Sequence, residues 1–260
     1  MGLLAGQDGA IDGYEPVPLR PDLATAPQRA SGMFRRPSPH PTRRAVLHLQ
    51  TARDATAPPD LARWFTERGF HFYVAALRWP GPSRRLFQRP GASLTSGYAE
   101  IDARCAHLRT TDGIDNVIIT AHGEGALAAA LWCDAHRCDA ERCEQDPCEA
   151  PQYRGQPPEG RADALILYTP AFGGNIRRPL DIRCPVLVIG EPLPQIRAGR
   201  PRRPEPASTV DLGRHVTWLR PTDGEARPDA QRPEDRARFF DEMGRWLGAY
   251  MYGGVRDQLL

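Results

Sequence analysis

Residues 117–132 read VIITAHGEGALAAALW. An apolar run meets a tight glycine turn and continues as an alanine-rich segment with strong helix propensity. A strand that turns this sharply into a helix is the pattern of a nucleophile elbow, in which G-x-S-x-G sets a serine at the apex. Here the five residues are Ala121-His122-Gly123-Glu124-Gly125, and the apex falls on glycine.

Outward from the elbow, short apolar runs alternate with helical patterns. Residues 44–49 (RAVLHL), 70–77 (FHFYVAAL), 162–168 (ADALILY), 185–189 (PVLVI) and 215–219 (HVTWL) predict strands. Between the first two, DLARWFTERG is amphipathic, with Asp60 placed to cap it and Gly69 to stop it. Ile101, Cys105 and Leu108 have helical spacing over 98–108, and residues 233–250 read as a closing amphipathic helix. GYEPVPLRPD and GMFRR suggest a short N-terminal hairpin ended by PSPHP at 37–41. The Pro/Arg-rich segment 191–206 has no helical periodicity.

This alternation predicts an α/β fold, a mostly parallel twisted sheet with helices on both faces. At 260 residues the chain is read as a leader over 1–13, a single domain over 14–252 and a tail over 253–260. A polar insertion interrupts the domain over 138–160.

A formal net charge of +2 is too small to argue for nucleic acid. Every basic residue is arginine, and their scatter reads as solvated surface and coding bias. No apolar run approaches the ~20 residues of a membrane span, and residues 1–13 lack the basic and apolar regions of a signal peptide. The expectation is a soluble, cytoplasmic protein without a membrane or nucleic-acid partner.

Cys105 and Cys184 read as small core residues. Cys133, Cys138, Cys143 and Cys148 form a ladder five residues apart. Five-residue steps turn about 140° on a helix, so neighbours share no face, and zinc sites usually space cysteines two to four apart. CDAHR and CDAER look like a tandem duplication in a surface insertion. Metal binding with His136 and a disulfide or redox role are the alternatives. No cofactor is expected.

The chain resembles the α/β-hydrolases, specifically the serine-aminopeptidase or monoacylglycerol-lipase-like branch common in actinomycetes. The residues that carry the likeness are RRAVLHL, DLARWFTERGFHFYVAALRWPGPSR, VIITAHGEGALAAALW, ADALILYTP, LDIRCPVLVIG, LGRHVTW and the helix ending in RWLGAY. The resemblance implies where a triad should sit. The nucleophile position falls on Gly123, and the His-Gly usual beside the oxyanion hole is replaced by Gln50-Thr51. The acid position offers only Glu191. The base-histidine loop holds Asp223, Gly224 and Glu225, while His215 comes too early. The lid expected between ADALILYTP and PVLVI is also absent, since only AFGGNIRRPLDIRC joins them.

By this reading the triad is degenerate. The N–H of Glu124 and the helix N-terminus still suit an anion or a polarised carbonyl. His122 and Glu124 flank the apex as candidates for proton transfer, against the alternatives of a packing histidine and a carboxylate drawn to the helix dipole. Gln50, Thr51 and Trp79 are candidate pocket residues, Trp79 being equally a loop-packing residue. Asp223 and Glu225 read as turn residues. Two functions compete: a non-hydrolytic lyase, cyclase or isomerase acting on a small metabolite, as this fold serves ring-forming steps in actinomycete metabolism; or an inactive ligand-binding or scaffold protein, as a homodimer or paired with an active enzyme. Residual esterase activity ranks last.

Overall fold

The structure is a computed structural model that describes residues 13–19, 32–51, 59–77, 94–135, 161–168, 170, 179–190, 196–197, 200–201, 212–213, 215–219 and 232–251. The predicted hairpin forms: β1 (Glu15–Val17) pairs antiparallel with β2 (Met33–Arg36). It leads into β3 (Arg44–Thr51), helix α1 (Pro59–Glu67) and β4 (His71–Leu77). Helix α2 (Leu94–Thr110), β5 (Asn116–His122) and helix α3 (Gly123–Ala135) follow. The chain then forms β6 (Ala164–Tyr168) and β7 (Val186–Ile189). After a separate two-residue ladder of β8 (Ile196–Arg197) with β9 (Arg200–Pro201), it ends in β10 (Val216–Leu219) and helix α4 (Pro233–Met251).

Eight strands form one sheet in the order β1-β2-β4-β3-β5-β6-β7-β10. It is parallel from β4 to β10, with the hairpin antiparallel at one edge. Period-two alternation sorts the strand residues between two cores. Leu47, Leu49, Ile119, Ala121, Leu165 and Leu167 pack with α2 and α3, while Val46, Ile118, Ile166 and Leu187 pack with α1 and α4. Strand pairing steps from β3 out to β4, then back across β3 to β5. Right-handed crossovers therefore put α1 and α2 on opposite faces.

Each helix is set by its own apolar spacing. In α1 Leu61, Ala62, Trp64 and Phe65 are buried, and in α4 Phe239, Met243, Trp246 and Leu247 meet them on the same face. Asp60, expected as a cap, instead lies within the first turn of α1; it pairs there with Arg63 and, at 3.1 Å, with Arg236 of α4. In α2 the expected Ile101, Cys105 and Leu108 are all buried, although the helix starts four residues earlier than the spacing suggested. Helix α3 is apolar almost all round, and its Trp132 Nε1 donates to Asp102 of α2 at 2.8 Å.

Two sequence expectations need correction. Arg104 is not solvated surface but fully buried, because its planar fork finds fixed acceptors: NH1 donates to the Glu100 carbonyl at 2.7 Å and NH2 to the Ala76 carbonyl at 2.9 Å. The Glu100 carboxylate stands 3.6 Å from the same guanidinium. Cys184 packs against the core only at its margin: it is half-buried and lines a cleft beside Cys133. No helix among the described residues is long and apolar enough to cross a membrane.

Candidate functional site at the elbow

The strand order reverses at β3, and the carboxyl ends of β3 and β5 on either side of such a reversal are the place where open α/β sheets put their sites. Gln50 and Thr51 close β3 on one side, and His122 and Gly123 close β5 on the other. The structure thus brings four of the sequence candidates to one edge, with Glu124 in the first turn of α3.

Gly123 has φ 53°, in the left-handed region that side chains disfavour, and it is the junction of β5 and α3. The sharp turn expected of an elbow is therefore present, and its apex carries no side chain. Two residues on, Gly125 lies against β3. A Cβ there would sit 3.1 Å from the Leu49 carbonyl oxygen and 3.6 Å from Thr51 Cγ2. The absence of a side chain at 125 is what lets the helix start meet the end of β3.

Gln50 is 6% exposed, and its Nε2 has no hydrogen-bond partner among the described residues. A buried amide donor without an acceptor costs about 1–3 kcal/mol. Here it lies at the same sheet edge as the N-terminus of a 13-residue helix. Both are donor features with a preference for an oxygen acceptor.

By strand alternation His48, Gln50, Thr120, His122 and Tyr168 all belong to the α1/α4 face. They form a polar island in an otherwise apolar layer. The His48 Nδ1 lies 3.0 Å from Thr120 Oγ1 and 3.2 Å from the Tyr168 hydroxyl. His48 stacks between Phe72 and Tyr168, with centroids 5.9 and 6.2 Å away. His122 packs against the same Tyr168 ring, centroids 5.5 Å apart. His122 is thus joined to a buried aromatic and histidine row running back into the sheet. His48, Thr120 and Tyr168 were missed in the sequence. Their signal was there: polar residues two apart, at 48 and 50 and at 120 and 122, interrupt runs otherwise wholly apolar.

Trp79, Glu191, Asp223, Gly224, Glu225, the joining segment 171–178 and the ladder residues His136, Cys138, Cys143 and Cys148 lie outside the described residues. Among the described residues no group of three or more His, Cys, Asp or Glu is placed to hold a metal. Cys133, the one ladder member described, neighbours Cys184 instead. A small surface cleft of about 60 Å³ is present, but at the opposite, amino edge of the sheet and not over the elbow.

No family model matches the chain, and no curated protein matches its sequence. Solved structures do match its fold. Native esterase 2 of the planctomycete Thermogutta terrifontis aligns with a TM-score of 0.56 at 13% identity, over 91% of this chain and 92% of that one. The same esterase phosphorylated by paraoxon aligns with a TM-score of 0.56 at 14% identity, over 92% and 95%. Esterase B from Lactobacillus rhamnosis gives 0.56 at 14% identity, over 94% and 89%. The chain has an α/β-hydrolase-like fold, and at such identities the likeness is one of fold.

Proposed function

We propose that this chain is a non-hydrolytic protein of the α/β-hydrolase fold that binds a small carbonyl compound at the elbow and moves protons on it. The observation that carries this reading is Gly123 at the apex with φ 53°. Without a hydroxyl there, no acyl intermediate can form by the serine route, and loss of that nucleophile costs on the order of a millionfold in such enzymes. Backbone donors remain. The Glu124 N–H and the Gln50 amide would take the carbonyl oxygen, making the adjacent C–H more acidic. Glu124 and His122 would carry the proton, with His122 oriented by Tyr168.

A second reading is a binding protein without chemistry. The packing of His122 against Tyr168 favours it, because a histidine held that way serves the core equally well. A third is residual ester hydrolysis, favoured by the esterase structures that share the fold. One experiment separates the three. The full chain is incubated with a panel of small ketones and aldehydes in D2O, and deuterium uptake beside the carbonyl is followed by NMR. Intact mass is measured in parallel after paraoxon treatment.

Catalysed exchange that is lost in both His122→Ala and Glu124→Gln supports the proposal. Exchange that survives in both overturns the proton-carrier roles. Saturable binding without exchange, weakened by Gln50→Leu, establishes the second reading. A paraoxon adduct on the protein establishes the third.

A further inference from the structure

The amino edge of the sheet, away from the elbow, holds a feature that the elbow reading does not use. Cys133, in the last turn of α3, and Cys184, two residues before β7, line one cleft with Trp132, Ile182, Arg161 and Arg183. The two thiols face the same cleft and are near enough to interact directly. They are 51 positions apart in the chain (184 − 133), so only the fold brings them together.

Their backbones are clamped as well. The Asp134 carboxylate, 3% exposed, accepts a hydrogen bond from the Asp181 N–H at 2.8 Å, one residue from Cys133 and three from Cys184. The clamp prevents the segments from drifting apart. Both cysteines are half-buried, so a small solute can reach them. Cys105 differs: it is fully buried, and that burial pushes its thiol up to about 12.

We propose that Cys133 and Cys184 are an oxidisable dithiol that closes to a disulfide, tying the last turn of the elbow helix to the segment leading into β7. The oxidant is a hydroperoxide. The Cys184 sulfur attacks one peroxide oxygen, the O–O bond breaks, and sulfur keeps an OH as a sulfenic acid. The departing hydroxide takes up the Cys184 proton as water. The Cys133 sulfur then attacks that sulfenic sulfur, the S–S bond forms, and the second hydroxide leaves with the Cys133 proton as water. Two thiols and one hydrogen peroxide give one disulfide and two waters, with two electrons passing from sulfur to oxygen.

Burial, and then the neighbouring Cys184 sulfur, hold the Cys133 thiol well above the ordinary range, which suits Cys133 to the second, resolving step. Closure would join α3, whose other end is the elbow apex, to the segment before β7, which is not the next strand in the chain. The inference is independent of any chemistry at the elbow.

Trypsin makes the test unambiguous in the unmodified chain. Cleavage at arginine puts Cys133 in peptide 110–137 and Cys184 in peptide 184–197, while Cys138, Cys143 and Cys148 fall in two others. The folded protein is treated with stoichiometric hydrogen peroxide, alkylated with N-ethylmaleimide and mapped without reduction. The expected product is one disulfide joining the two peptides, split by dithiothreitol, with a urea midpoint raised until reduction. In Cys133→Ser, Cys184 should stop as a sulfenic acid that dimedone traps. Separate alkyl labels on both peptides after peroxide, or bridges from either cysteine to Cys138, Cys143 or Cys148, would overturn the proposal.

Discussion

The carbonyl oxygen of Leu49 stands 3.1 Å from the point that a Cβ on Gly125 would occupy. The neighbour is backbone of a strand paired on both sides, so it cannot swing away as a flexible side chain would. Gly125→Ala must therefore lift the first turn of α3 off β3, at about 1–3 kcal/mol of overpacking. Urea unfolding checks this. An unchanged midpoint would mean that the helix start is not held against β3.

Gly123→Ser puts a hydroxyl at the apex but forces a side chain into φ 53°. The expected loss of stability is about 1–2 kcal/mol. No histidine occurs in residues 220–231, after the last strand, so the new serine has no base there to activate it. Turnover of p-nitrophenyl butyrate should stay at the level of the unmodified chain. A clear gain would show that another group acts as the base, and would favour the esterase reading.

The His48 Nδ1 is bracketed by two hydroxyls in the core, Thr120 at 3.0 Å and Tyr168 at 3.2 Å. Thr120→Val or Tyr168→Phe alone leaves the other hydroxyl in place, costing about 1 kcal/mol each. The double variant removes both and should cost more than the sum of the two single losses. A double-mutant cycle in urea measures the excess; strict additivity would mean that His48 does not couple the two hydroxyls.

His71 gives the fold a pH dependence on its acid side. Its Nδ1 accepts a hydrogen bond from the Ser38 N–H at 3.1 Å, and burial, then Arg35, lower its pKa from 6.5. The unfolded chain therefore takes up the His71 proton first as pH falls. The stabilisation is full above the unfolded value and is lost as pH falls through the lower folded value. His71→Gln should flatten the part of the urea-midpoint profile that falls away below the ordinary histidine value of about 6.5. An unaltered profile would assign the dependence to other groups.

Much of the fold was legible locally. The run NVIITAHGEGALAAALW shows its strand, its turn and its helix without help from the rest of the chain, and the apex glycine could be named at once. The same holds for the spacing of Ile101, Cys105 and Leu108, which marks one buried helical face. Legibility failed where a residue's partner lay far along the chain. Arg104 reads as any surface arginine until the Ala76 carbonyl, 28 residues earlier, is set against it. Cys133 reads as one rung of a ladder until Cys184 arrives across the fold.

By itself, the sequence determined the alternation of strands and helices, the two-sided burial of the sheet and the glycine at the elbow. These follow from periods of two and 3.6 residues and from one residue's lack of a Cβ, all of them local properties. Only the tertiary structure decided that Gln50 and Thr51 end at the same sheet edge as the elbow, that Thr120 and Tyr168 flank one nitrogen of His48, and that two distant cysteines line one cleft. Those relations depend on strand order and register, which are set by which buried faces can pack together across the whole chain.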